Sequence, residues 1–167
     1  KVKDATAYVC GLGFYEFSLN GEKVGDSEFA PLWSDYDKSV YYNTYDVTSQ
    51  VKKGGNAIGV LLGNGFYNVQ GGRYRKLQIS FGAPTLRFRM VVNYEDGTSE
   101  TIVSGKDWKY DFSPVLFNCI YGGEDYDARR EQKGWNMFGF KEQDWHPVVI
   151  QEAPKGVLRP QIAQPVK

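Results

Sequence analysis

Between positions 85 and 94 every second residue is large and apolar: Leu86, Phe88, Met90, Val92 and Tyr94 fall on one side, while Arg87, Arg89 and Asn93 fall on the other. A repeat of two is that of a β-strand, and a slip of one residue would turn the whole apolar row toward water. The run therefore predicts a half-buried antiparallel strand with a fixed register. Tyr15, Phe17 and Leu19 alternate in the same way with Glu16 and Ser18, and Asn20-Gly21 then supplies the two positive-φ residues of a tight hairpin before Glu22-Lys23-Val24. Glu95-Asp96-Gly97 is the matching turn between the 85–94 strand and Thr98 to Ser104, and Trp108, Tyr110 and Phe112 alternate with Lys109 and Asp111. Helical signal is confined to one place, where Thr48 offers an N-cap, Val47 and Val51 lie one turn apart and Gly54 is a stop. One or two short helical turns are expected there. Many short strands, 19 glycines and no βαβ rhythm predict an all-β chain folded as an antiparallel β-sandwich of jelly-roll kind.

Charge narrows the choice of partner. Lysine and arginine total 20, as do aspartate and glutamate, so no net field draws the chain to nucleic acid or to an anionic membrane, and neither is expected as a partner. An uncharged ligand suits this balance. The 12 Tyr, 10 Phe and 4 Trp supply flat surfaces of the kind sugars stack on, although most must serve the core and the sheet surfaces. A length of 167 residues suffices for one domain with a real core. No stretch is long and apolar enough to cross a bilayer, and the chain opens Lys1-Val2-Lys3 without a Met or a signal segment, which predicts a piece of a longer protein. Pro154, Pro160 and Pro165 space out a tail that reads as an extended exit linker, so the sandwich is expected over 1–153 and the exit segment over 154–167. Cys10 lies in an apolar strand and is expected to be a buried free thiol, since pairing with Cys119 would require the fold to bring their strands together. Two cysteines do not assign a compartment; a secreted or periplasmic setting is preferred.

The candidate chemistry is sparse. His146 is the single histidine, beside Trp145 and Pro147, so neither a histidine-rich metal site nor a Ser-His-Asp relay has support. Gly11-Leu12-Gly13 precedes an aromatic strand where a phosphate cradle would need a helix. Glu124, Asp125 and Asp127 admit three readings: surface carboxylates paired with Arg129 or Arg130, oxygen ligands for calcium, or an acid/base pair for glycoside hydrolysis. Catalysis ranks last, because such a pair must flank a sugar from opposite sides and these acids sit together in sequence. A second candidate site is aromatic, with Trp33, Tyr36, Phe66, Tyr67 and Tyr121 near Asp35, Asp37, Asn43, Asn64 and Asn68. Rings to stack on and polar groups around them are what a sugar needs. Asn64-Gly65 is also a turn signal in its own right, with the asparagine suited to a left-handed conformation.

Five blocks carry a resemblance: AYVCGLGFYEFSLNGEKVGD at 7–26, APLWSDYDKSVYYNTYDVT at 30–48, GGNAIGVLLGNGFYN at 54–68, YGGEDYDARRE at 121–131 and GW at 134–135. In order and spacing they resemble the N-terminal β-sandwich domain of bacterial α-L-rhamnosidases, glycoside hydrolase family 78. The closing GVLRPQIAQPVK at 156–167 is similar to that family's exit strand. The resemblance implies a galactose-binding-domain-like sandwich in a parent enzyme that removes terminal α-L-rhamnose with inversion, using acids on a separate (α/α)-barrel. No catalytic residue is then expected in this chain, and the fragment alone is expected to be inactive. It also implies an accessory role, since in some relatives the domain binds L-rhamnose with help from calcium. The expected partners are L-rhamnose or a rhamnose-containing glycan and the remaining domains of the parent chain. The expected sugar contacts are Trp33, Tyr36, Asn64, Phe66, Tyr67, Tyr121 and Glu124, and the expected calcium ligands are Asp35, Asp37, Asn43, Asp125 and Asp127. Phe66 stands where the family often has Trp, and Lys38 follows Asp37 where an amide or carbonyl ligand would suit calcium better. A purely structural interdomain scaffold without a sugar site is the alternative.

Overall fold

The computed structural model describes residues 1–71, 73 and 77–167. In chain order its strands are β1 (Val2–Leu12), β2 (Tyr15–Leu19), β3 (Glu22–Lys23), β4 (Ser39–Asp46), β5 (Ile58–Leu62), β6 (Asn68–Val69) and β7 (Ile79–Ser80). There follow β8 (Thr85–Tyr94), β9 (Ser99–Val103), β10 (Lys109–Tyr110), β11 (Val115–Cys119), β12 (Gly123–Tyr126), β13 (His146–Pro147) and β14 (Val157–Pro160). A five-stranded sheet in the order β14-β4-β1-β8-β9 faces a three-stranded sheet in the order β3-β2-β5, and small two-stranded pairs surround them. The expected antiparallel β-sandwich is what forms.

Its core shows why these strands face each other. The inward positions of β1 are Ala5, Ala7 and Val9, and opposite them on β8 stand Val92, Met90 and Phe88. A small residue thus faces a larger one across the first two pairs, leaving depth for Phe17 and Leu19 of β2 to enter from the other sheet. Phe17 and Phe88 meet edge to face, with centroids 5.3 Å apart and an interplanar angle of 64°. Leu86 and Tyr94 complete the inward row of β8 as partly buried neighbours of the core, while Arg87 and Arg89 are exposed. The hairpin after β2 is the expected one, with Asn20 at φ 56° and Gly21 at φ 87°. Asn20 does more than turn the chain. Its side-chain oxygen accepts from Ala57 N–H at 2.9 Å and its amide donates to Gln50 O at 2.9 Å and Asn56 Oδ1 at 2.8 Å, tying the hairpin to the loop before β5.

Two local expectations change. Thr48 does not cap a helix: its hydroxyl accepts from Ala5 N–H at 2.9 Å and donates to Asp46 Oδ1 at 2.6 Å, so it serves the β1–β4 edge. The turn beyond it goes no further than hydrogen bonds from Gln50 and Val51 to Val47 O, and the only helical element among the described residues is a 3₁₀ turn at Ala128–Arg130. The 108–112 alternation is not a core strand either. Trp108 lies 5.5 Å from Phe88, but Tyr110 and Phe112 point outward beside His146, because among the described residues β10 pairs only with the short β13. Within the segment likened to an exit strand, residues 157–160 form β14, which adds in parallel to the edge of β4 with Val157 opposite Ser39 and Pro160 opposite Tyr42. Cys10 and Cys119 are both buried free thiols, and burial pushes Cys10 up to about 11.

Candidate aromatic sugar platform

Three loops meet at one end of the sandwich. The segment between β3 and β4 carries Phe29, Trp33, Asp35, Tyr36 and Asp37, the loop after β5 carries Asn64, Phe66 and Tyr67, and the turn between β11 and β12 carries Tyr121. Gly63 N–H donates to Phe14 O at 2.8 Å, which sets the loop after β5 against the β1–β2 turn. That approach needs glycine at position 13, whose φ is 110° and where a Cβ would collide with the Gly63 carbonyl oxygen.

On this base the rings assemble. Trp33 and Phe66 stack with centroids 5.1 Å apart and planes 10° from parallel. Phe66 also meets Phe14 at 6.0 Å and Tyr121 at 6.5 Å, both edge to face, and Phe14 meets Phe29 at 5.5 Å. Large rings remain open to solvent here: Phe29 is 59% exposed, Trp33 55% and Tyr121 46%. Beside them, Trp33, Ser34, Asp35, Tyr36 and Phe81 line an open depression of about 470 Å³. A second one, of about 280 Å³, runs from Tyr36, Tyr67 and Phe81 to Glu152 and Lys155. The site thus combines exposed ring faces with a carboxylate and a hydroxyl at the rim.

The family model for the α-L-rhamnosidase N-terminal domain matches residues 1–167. The chain belongs to that family. An α-L-rhamnosidase of Formosa agariphila is 44% identical over 149 residues, covering 87% of this chain and 16% of the relative. One from Streptomyces avermitilis is 43% identical over 145 residues, covering 87% of this chain and 14% of the relative. Among solved structures, the S. avermitilis α-L-rhamnosidase complexed with L-rhamnose superposes with a TM-score of 0.91 at 39% identity, over 99% of this chain and 16% of that one. The α-L-rhamnosidase from Dictyoglumus thermophilum gives a TM-score of 0.87 at 41% identity, over 98% of this chain and 18% of that one. This rhamnosidase N-terminal domain therefore spans less than a fifth of the length of these relatives.

Within the domain, the expected sugar contacts do not all come together. Trp33, Phe66 and Tyr121 come together in the platform, joined by Phe14 and Phe29, which sequence reasoning did not single out. Tyr36 and Tyr67 instead belong largely to a second core cluster with Cys10, Leu12 and Val40, each only 7% exposed. Burial pushes the Tyr36 hydroxyl up to about 12, and Tyr67 Oη donates to Phe81 O at 3.2 Å. Both still line the second depression, and Tyr36 the first as well. Asn64 is a fastener: its N–H donates to Asn118 Oδ1 at 2.8 Å, its side-chain amide donates to Asn118 O at 3.0 Å, and its Oδ1 accepts from Asn68 Nδ2 at 2.8 Å. Nor is it in the left-handed region, which Gly65 occupies at φ 51°. Glu124 stands exposed on β12 in register with Asn118.

The expected calcium ligands do not form one donor set. Among the described residues no three His, Cys, Asp or Glu side chains gather where a metal ion would sit. Asp35 binds Lys38 at 2.8 Å, Asp125 is bonded to Arg73, and Asp127 takes both Nε and a terminal nitrogen of Arg129 at 2.8 and 2.7 Å while accepting Arg129 N–H. These hydrogen bonds hold all three carboxyls below the usual aspartate range. Asp37 is exposed beside Asp35, and Asn43 lies on β4, where its amide reaches Tyr45 Oη at 3.5 Å and its oxygen is buried without a donor among the described residues. Asp35, Asp125 and Asp127 each already pair with a cation, which a chelating site would have to displace.

Proposed function

We propose that this chain is the non-catalytic accessory domain of a longer α-L-rhamnosidase, and that it engages L-rhamnose, free or at the end of a glycan, on the aromatic platform. The observation that carries this reading is Trp33: one ring face is stacked on Phe66, yet the residue is 55% exposed and borders a depression edged by Asp35 and Ser34. A ring held rigid on one side loses little freedom when a sugar's C–H face packs on the other, and the rim groups can bond its hydroxyls. A non-catalytic role is supported by the acids. A general acid must keep its proton at the working pH, whereas Asp125 and Asp127 are pushed the other way by Arg73 and Arg129.

Calorimetry of the 167-residue chain with L-rhamnose, in calcium and again in chelator, tests the reading. Heat at millimolar sugar is expected, and Trp33→Ala should weaken binding about tenfold or more. No heat in either buffer, or release of nitrophenol from a nitrophenyl rhamnoside by this chain alone, refutes it. One observation favours a structural scaffold as the second reading: Phe112, Phe138, Val149 and Ile150 are 71%, 69%, 73% and 62% exposed, a set of apolar side chains suited to another domain. A melting temperature much higher in the whole enzyme than in this chain, with no sugar binding in either, would select it.

A further inference from the structure

The segment that carries Phe29 and Trp33 is not held by the sandwich alone. Tyr15 N–H donates to Ala30 O at 2.8 Å, but two further anchors come from the far end of the chain. Glu28 N–H donates to Val166 O at 2.8 Å in an isolated bridge, and Leu32 N–H donates to Gln161 Oε1 at 2.9 Å. Gln161 is itself seated, its own N–H donating to Tyr42 O at 2.9 Å just beyond β14 and its side-chain amide donating to Ala163 O at 3.3 Å. The anchored segment contains a bulky residue in the left-handed region, Phe29 at φ 52°, a conformation that persists only where neighbours hold it. Leu32, whose N–H donates to Gln161, immediately precedes the platform tryptophan.

The residues Val157–Lys167 are fastened by hydrogen bonds more than by burial. Val157 is 60% exposed, Ile162 91% and Val166 47%, and the ion pair of Lys167 with Asp26 at 2.7 Å lies between side chains 63% and 68% exposed. A strand at a sheet edge with so little apolar burial opens locally, at a smaller cost than global unfolding. When it lifts, Glu28 and Leu32 lose their acceptors together.

We propose that residues 157–167 form a strap that positions the 28–33 segment, with Gln161 as the positioning residue, so that the Trp33 platform keeps its shape only while the strap is docked. As a control on loop geometry this stands by itself; as a control on sugar contact it rests on the platform reading above. It ties the ring surface to the segment at the opposite end of the sequence, which the blocks at 7–26 and 30–48 give no hint of.

Amide hydrogen exchange of the 167-residue chain, read residue by residue, tests it. In the unmodified chain Glu28, Leu32 and Gln161 should exchange at a common opening, faster than the β1 and β8 amides; Leu32 remaining protected while Gln161 exchanges freely overturns the proposal. Gln161→Leu removes the acceptor and should speed Leu32 exchange roughly fivefold or more, the worth of one net hydrogen bond, while the β1 amides hold. Gln161→Glu keeps an oxygen in place and should restore protection. Unchanged Leu32 exchange in Gln161→Leu, or no rescue by Gln161→Glu, refutes the strap. L-rhamnose titration of the same three proteins separates the two claims. If the unmodified chain binds, Gln161→Leu should bind roughly fivefold or more weakly and Gln161→Glu should recover; equal binding by all three removes the strap's hold on the platform. If the unmodified chain does not bind, the sugar reading falls and the exchange data alone decide the strap.

Discussion

Replacing Asn64 by alanine separates a fastener from a sugar ligand. Its side chain makes two bonds, to Asn118 O at 3.0 Å and from Asn68 Nδ2 at 2.8 Å; the first holds the loop carrying Phe66 to β11 and the second closes that loop on β6. Removing the first loses a net hydrogen bond, ~1 kcal/mol. Removing the second is worse, because Asn68 is only 6% exposed and its amide would be left buried without an acceptor. That desolvation adds ~1–3 kcal/mol, for a total of about 2–4 kcal/mol. For a domain of this size each kcal/mol moves the melting temperature by about 2–4 °C, so the expected fall is roughly 4–16 °C. Asn64→Asp sharpens the test. A carboxylate still accepts from Asn68 but presents no donor to the Asn118 carbonyl, so it too should destabilise, whereas a sugar hydroxyl would accept the exchange readily. Urea and thermal unfolding of both variants give the free energies, and L-rhamnose titration of the folded protein gives the affinities. A stability loss below about 0.5 kcal/mol accompanied by lost sugar affinity would refute the reasoning and return Asn64 to the ligand set.

Phe17→Ala removes a ring that is 1% exposed between the two sheets, and urea unfolding should show a loss of about 3–5 kcal/mol, with a value near 1 meaning that the sheets can collapse on the gap. Thiol reagent at pH 8 should label neither Cys10 nor Cys119 in the native chain and both once denaturant is added, since both are buried and Cys10 is raised to about 11; rapid native labelling would contradict the packing. Acid should weaken the fold in a defined window. Asp35, Asp125 and Asp127 are depressed by Lys38, Arg73 and Arg129, so their contribution is complete above the unfolded aspartate value of ~3.9 and is lost as pH falls through the lower folded values. Melting temperatures should therefore be flat above about pH 5 and drop below about pH 4, and a drop that begins near neutrality would point to other groups.

What the sequence made legible follows from how far apart the cooperating residues lie. The 85–94 strand, the Asn20-Gly21 hairpin and the Glu95-Asp96-Gly97 turn are written in neighbouring residues, because alternation and positive φ are local properties, and all three form as expected. Thr48 misleads for the same reason: a hydroxyl before a short apolar spacing is a cap if a helix follows, but here Ala5, 43 positions away, offers its N–H first. The short alternation at 108–112 fails because a repeat of two says that a strand has two faces and not which face meets a core.

The platform is the harder case, and its difficulty is physical. Its rings come from positions 14, 29, 33, 66 and 121, and each taken singly has the composition of an ordinary core residue. Tyr36 and Tyr67 show how real that alternative is, since they sit in the same loops as Trp33 and Phe66 and are buried. What separates the two pairs is which side of the loop faces Cys10 and Val40 of the sheet, and that is set by tertiary contacts such as Gly63 with Phe14 and Asn64 with Asn118. Phe14 and Phe29 could have been found from one signal, their attachment to glycine-rich and proline-flanked turns where a core ring has no reason to be. The strap on Gln161 had none, because a glutamine among prolines reads as linker until the fold brings Leu32 to it.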